Sequence, residues 1–325
     1  MVKTQNSHSI ELLARLIASD ASFLTLREKL IFYKFLLADE NGKPFEDEKT
    51  FTEGLLLLTL TKIEILVKRT FPRARWNSSE ALRKVKIAAR IMEFQKIKST
   101  SCMDSDFPAM LREMKDPPFM LFYRGNLEVL NRRCVSVVGT RHAFAQSLSA
   151  ASEFSRKACD DGLCVVSGLA FGIDAASHKG ALLSKNPATC AVLPCGIDII
   201  RPYSNTRLAA KILESGGLLV SEYLPGTPSV PFRYVQRNRI VAALSPATLV
   251  VQASAGSGAM ITADLALGYN REVFFHIQCF SQKILEINLN SEYKKSSTPK
   301  SFVDDGAAVI SDYEHFKEVL NYGEG

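Results

Sequence analysis

The run CVSVV at positions 134–138 passes directly into GTR at 139–141, and the reading of this junction decides the fold. Five apolar or small residues in a row, bounded by charge and glycine, read as a strand buried on both faces rather than one alternating between core and water. A glycine straight after such a strand lets the backbone turn sharply and bring amide donors towards an anion. An arginine beside it offers a planar fork suited to phosphate. Gly139, Thr140 and Arg141 are therefore the first candidate binding residues.

Downstream of this junction the same pattern recurs. Short apolar runs at 164–167, 189–193, 218–221, 248–251 and 272–275 alternate with helix-type periodicity near 147–159, 173–183, 205–213, 232–244 and 259–267. Strands each followed by a helix predict an α/β protein with a Rossmann-like, doubly wound, mostly parallel sheet, its ligand site beyond the C-terminal strand ends. Upstream, apolar residues such as Leu12, Leu13, Leu16 and Ile17 fall at helical spacing, so residues 1–98 read as a small helical N-terminal domain. Residues 99–133 read as a connector packing on the main domain. In it, DFP at 106–108 and DPP at 116–118 block helix, and FMLFY at 119–123 suits a strand. The main domain spans 134–325, with a polar loop at 281–300, its 291–299 part expected to be flexible, and a closing strand and helix at 307–310 and 313–320.

Composition narrows the function classes. A chain of 325 residues, 46% of them hydrophobic, can bury one large core. No run reaches the ~18 apolar residues of a membrane span, and the polar N-terminus lacks a secretory signal, so a cytoplasmic location with no membrane partner is expected. The seven cysteines form no CxxC pair and sit largely in apolar runs, which reads as buried, reduced thiols. The GxGxxG fingerprint of dinucleotide binding is absent, and neither a cofactor nor a metal is expected. A net charge of +6 permits a nucleic-acid partner without demanding one. The Lys/Arg-rich stretch from Lys62 to Lys98 reads either as a solvated helical face or as an auxiliary backbone-binding surface.

Three further stretches add candidates. In SGLAFGID at 167–174, Ser167 and Gly168 end a strand, while Asp174 and His178 fall one helical turn apart, suiting either acid–base chemistry or a structural hydrogen bond or cap. In PFRYVQRNR at 231–239, Arg233 and Arg237 share a helical face beside Tyr234, with Asn238 and Arg239 next to them. This reads as a cationic surface with a base-stacking platform. In GSG at 256–258, Ser257 and Gly258 open a helix as a phosphate cradle would. Gly139, Gly168, Arg237 and Gly256 are all expected at one edge of the sheet.

Taken in register, SVVGTR (136–141), SGLAFGIDAASHKGAL (167–182), AVLPCGIDIIRPYSN (191–205), LLVSEYLPGTP (218–228), RNRIVAALSPATLVVQA (237–253) and SGAMITADLALGYNREVF (257–274) resemble the DprA/Smf family of DNA-processing proteins. DFPAMLREMKDPPFMLFYRGN (106–126) and FVDDGAAVI (302–310) extend the resemblance over about two-thirds of the chain. It implies a homodimeric protein that binds and protects single-stranded DNA and loads the recombinase RecA in natural transformation, without catalytic residues or turnover chemistry. Gly139 and Arg141 would hold the strand's phosphates. Arg237, Asn238 and Arg239 would line the same pocket, and Ser257 and Gly258 would shape its floor.

The chain departs from the family pattern at Phe171, where arginine is usual, at Gly256, where a basic residue often stands, and at HIQ (276–278) in place of VPG. Two other readings stand beside this one: a nucleotide-processing hydrolase of the lysine-decarboxylase-like group, with Glu222 as a conceivable carboxylate, and a diverged paralogue acting through protein contacts. The first hundred residues lack the GxG hairpin of a helix-hairpin-helix unit, so DNA contact there rests on charge alone.

Overall fold

The 134–138 run forms β3 (Cys134–Val138), every residue of it buried. Cys134 and Val138 enter the core on one side of the sheet, Val135 and Val137 on the other. Ser136, the one polar member, donates to the carbonyl oxygen of Val241 at 2.6 Å, which removes the cost of burying its hydroxyl. In this computed structural model the described residues are 2–72, 76–289 and 298–322.

The chain begins with α1 (Val2–Asp20), α2 (Leu26–Phe35), α3 (Glu53–Val67) and α4 (Ser78–Gln95). Thr25 closes a capping box with Glu28 at the start of α2, and Asn77 caps α4 through Glu80 N, so local chemistry sets these boundaries. Next come β1 (Lys98–Ser101), the short α5 (Ala109–Arg112) and β2 (Met120–Gly125). Beyond β3 the order is α6 (Ala145–Asp160), β4 (Cys164–Ser167), α7 (Ile173–Leu182), β5 (Thr189–Val192), α8 (Thr206–Glu214), β6 (Leu218–Ser221), α9 (Pro231–Ala243), β7 (Ala247–Val250), α10 (Gly258–Gly268) and β8 (Glu272–His276). The chain then runs through α11 (Gln282–Leu289), α12 (Pro299–Asp304), β9 (Ala308–Ile310) and α13 (Tyr313–Tyr322).

The nine strands form one sheet in the order β1-β2-β6-β5-β4-β3-β7-β8-β9. All neighbours from β6 to β9 run parallel, whereas β1–β2 and β2–β6 are antiparallel. The connector therefore does more than pack on the sheet: it supplies two of its strands. Strands β3 to β6 build outward on one side of β3 and β7 to β9 on the other, so the winding reverses between β3 and β7. At such a switch point the following loops diverge and leave a crevice.

Helices cover both faces. Residues of α9, α10 and α12 pack on one, and residues of α6 and α13 on the other. The N-terminal helices share that second side towards β2 and β6, where Leu16, Phe32, Leu56 and Leu60 join Phe122, Leu169, Leu193 and Leu219 in one continuous cluster.

The 281–300 stretch is not loop throughout, and most of the segment expected to be flexible, 291–299, lies outside the described residues. Residues 282–289 are helical, and Thr298 caps α12 in a box with Ser301. Segment 290–297 lies outside the described residues. The HIQ departure is also ordered: β8 leads into a 3₁₀ turn in which buried His276 accepts from Gln278 N at 3.2 Å. Six of the cysteines are buried and Cys102 half-buried, all free thiols. In the basic stretch, Arg69 pairs with Glu28, Arg83 with Glu80 and Lys62 with Glu40, which neutralises part of its charge. Arg73 and Arg75 lie outside the described residues. Among the described residues no helix is long and apolar enough to cross a membrane, and no group of His, Cys, Asp and Glu is arranged to hold a metal ion.

Candidate nucleic-acid interface

The crevice at the switch point is a pocket of about 300 Å³ lined by Gly139, Thr140, Arg141, Gly168, Arg237, Asn238, Ser257 and Gly258, with Tyr234 and His142 at its sides. The loop after β3 is tied down by one residue, Gln252. Its backbone carbonyl accepts from Thr140 N at 2.8 Å and its side-chain oxygen accepts from Phe144 N at 3.0 Å. Gln252 lies at the end of the RNRIVAALSPATLVVQA stretch (237–253), but nothing local in the sequence marks a buried glutamine as a brace between two strand-end loops.

Arg141 is exposed, its guanidinium 5.3 Å from the centroid of the Tyr234 ring. That stacking orders the side chain without neutralising it, so the charge stays available to an anion. Helices α6, α9 and α10 all begin at this edge, and none has an acidic residue in its first turn or a side chain capping its amides. Of the three, the head of α10 (Ser257, Gly258, Ala259) lines the crevice itself and presents its positive end there uncompensated. The buried Ser257 Oγ, at the head of α10, has no hydrogen-bond partner, as a group waiting for a ligand acceptor or a water would.

The other predicted arginines sit differently. Arg237 borders the pocket, but its side chain turns inward. It is 4% exposed, donates to the carbonyl oxygen of Val192 and lies against Gly168. A Cβ at position 168 would come within 1.9 Å of Arg237 Nη1, so only glycine lets the guanidinium lie there. Asp174 is its electrostatic counterpart: burial pushes this carboxyl up, while Arg237 and the amides of Gly168 and Ala170, at 3.2 and 3.3 Å, pull it back. Arg237 is thus a buried cation that organises the wall, not a free phosphate fork.

Arg239, expected in the same pocket, is not among its lining residues. Its guanidinium pairs with Glu222 and with the carbonyl oxygen of Asp116, because two positions along a helix turn a side chain by about 200°. Arg233 is also directed elsewhere, stacking over Tyr223 and Phe232 and donating to the carbonyl oxygen of Pro228. Ser167 is buried and donates to the carbonyl oxygen of Val137 at 2.7 Å, a bond between strands. Asn238 does reach the edge, donating to the carbonyl oxygen of Gly258 at 3.2 Å.

Asp174 and His178 make no acid–base pair. His178 is fully buried and contacts Thr189 Oγ1 at 2.7 Å; that hydroxyl donates its own proton to the carbonyl oxygen of Val165, so His178 Nδ1 must carry the hydrogen. Its Nε2 is buried without a partner, and burial, with nearby Arg237, lowers the imidazole pKa to about 3. The unfolded chain, titrating near 6.5, binds a proton between these values that the folded chain refuses. Stability from this group is complete above pH 6.5 and declines on acidification by about 1.4 kcal/mol per pH unit. Urea unfolding at pH 7, 6 and 5 should show that loss in the parent and not in His178→Gln, the difference between the two isolating this residue.

A Rossmann-like α/β sheet with a cationic crevice at its switch point is an arrangement suited to holding an anion such as a phosphate. A sequence profile described as DNA recombination-mediator protein A matches residues 98–321. The chain belongs to this family, DprA/Smf. It is 31% identical to protein Smf of Borreliella burgdorferi over 75% of this chain and 76% of that one. With DNA processing protein DprA of Streptococcus pneumoniae it shares 39% identity over 56% of this chain, a segment spanning 64% of that protein's length. The crystal structure of the S. pneumoniae protein superposes with a TM-score of 0.61 at 30% identity, covering 80% of this chain and 90% of that one. DNA processing protein A of Helicobacter pylori, whose structure was described for its single-stranded DNA binding mode, shares the fold with a TM-score of 0.57 at 24% identity, covering 70% of this chain and 97% of that one.

Proposed function

We propose that this chain is a single-stranded-DNA-binding recombination mediator whose strand's phosphates enter the crevice between β3 and β7. The observation that carries the reading is the exposed, un-neutralised Arg141 beside the free head of α10, in a pocket whose only lining carboxylate among the described residues is the buried Asp174. Phosphate contacts of this kind hold a backbone without reading bases, so binding is salt-sensitive and largely indifferent to sequence. Family membership supports the finer reading as well: a cytoplasmic homodimer that protects incoming DNA and loads RecA in natural transformation. No turnover chemistry is assigned; Glu222, the carboxylate that hydrolysis would call on, is engaged by Arg239 away from the pocket.

The test is a titration with labelled oligothymidine at several salt concentrations. A log–log slope of ~0.7 per engaged phosphate is expected. Binding that ignores salt, or none at all, would overturn the reading.

A further inference from the structure

A second groove, of about 780 Å³, opens beside the pocket and shares Arg141 and His142 with it. Phe171 stands in its wall, 48% exposed, between α6 and the head of α7. The loop that carries it is held from several sides. Asn205 Nδ2 donates to the carbonyl oxygens of Leu169 and Ala170 at 2.9 and 3.3 Å, and Asp174 accepts from Ala170 N. Gly172, with φ +72° and ψ −125°, presses so closely on the loop after β3 that a Cβ there would lie 2.2 Å from the carbonyl oxygen of Thr140. An apolar ring is therefore presented to solvent on a pinned loop, next to the pocket's free cation. Among the described residues, the other charged or titratable side chains lining the groove are His142 and Lys179, and none of its lining residues is a carboxylate.

We infer that Phe171 is a base-stacking subsite: a nucleobase adjacent to the phosphate held by Arg141 turns into this groove and lies on the phenyl ring. This rests on the reading of the pocket given above. The occupant follows from continuity and charge. A cation-lined groove that shares its arginine with a phosphate pocket suits the next unit of the same polyanion, and an aromatic face accepts any base. A stacking contact here would give the chain a part of its affinity that does not depend on salt.

The experiment compares two probes by fluorescence anisotropy: an oligothymidine, and a strand of the same length whose sites are abasic, which keeps the phosphates and lacks the bases. Phe171→Ala should bind oligothymidine roughly five- to tenfold more weakly than the parent, the abasic strand equally well, and Phe171→Trp should retain the preference for bases. Phe171→Arg should steepen the salt slope by ~0.7 while losing that preference. Unchanged oligothymidine binding by Phe171→Ala, in a protein whose Arg141→Ala variant is impaired, overturns the subsite and leaves the pocket standing. Failure of the parent to bind oligothymidine overturns both.

Discussion

Arg141→Ala should lower affinity for oligothymidine roughly ten- to a hundredfold while leaving the unfolding midpoint within experimental scatter. The residue is exposed, and the described structure gives it one side-chain partner, the Tyr234 ring, so its removal leaves no buried group stranded. A charge-assisted contact to phosphate contributes about 1.5–3 kcal/mol, and each tenfold in affinity is about 1.4 kcal/mol. The salt slope should fall by ~0.7, the share of one phosphate. Lys at this position should recover part of the affinity, because an ammonium keeps the charge but not the planar fork. Anisotropy titrations at three salt concentrations, with urea unfolding as the control, would check this; full affinity and an unaltered slope would remove Arg141 from the site.

Arg237→Ala should behave in the opposite way, losing stability before it loses anything specific to DNA. The buried guanidinium faces Asp174 and holds the Val192 carbonyl, so truncation strands a carboxyl in the interior and opens a cavity against Gly168. Leaving the buried Val192 carbonyl without this donor and opening that cavity should cost about 2–5 kcal/mol, a large part of the stability of a typical domain. Any fall in DNA binding would then accompany a lower unfolding midpoint. A cycle with Asp174→Asn separates the two causes: the double variant should be less destabilised than the sum of the singles, because either single change already removes the electrostatic attraction between the two groups. Additive losses would show that the pair does not act as a unit. Asp174→Asn alone should cost less, since burial already pushes the carboxyl towards its neutral form and an amide oxygen can still accept from Gly168 and Ala170.

Much of the α/β architecture was legible in the chain because a strand covered on both faces leaves an unmistakable apolar run. The runs at 134–138, 164–167 and 218–221 coincide with β3, β4 and β6 residue for residue. The connector was harder. Its prolines were read as blocking helix, yet Pro108 stands at the N-cap of the short α5; whether FMLFY joins the sheet depends on a partner, β6, nearly one hundred residues away, and pairing across that distance has no local signature. The helices at 282–289 and 299–304 were hidden by polar composition, and the capping box that starts the second involves only Thr298 and Ser301.

Among the arginines the limit is sharper. Residue type and helical spacing placed Arg233, Arg237 and Arg239 on one helix near a strand end, but not which of them meets water. Arg237 is drawn inward by Asp174 and the Val192 carbonyl, Arg239 is taken by Glu222 and Asp116, and Arg233 stacks on two rings. Each of those partners comes from a different part of the chain.

The sequence by itself determined the winding of the sheet and the position of its GTR junction, because strand burial and glycine turns are local properties carried by consecutive residues. Only the tertiary structure decided that Arg141 alone of the candidate arginines keeps a charge free at the crevice, since whether a charge is spent or available is a property of its neighbours in space. At the junction the two meet: CVSVV makes the strand, and Gln252, reaching across from β7's end, holds the loop that presents the arginine.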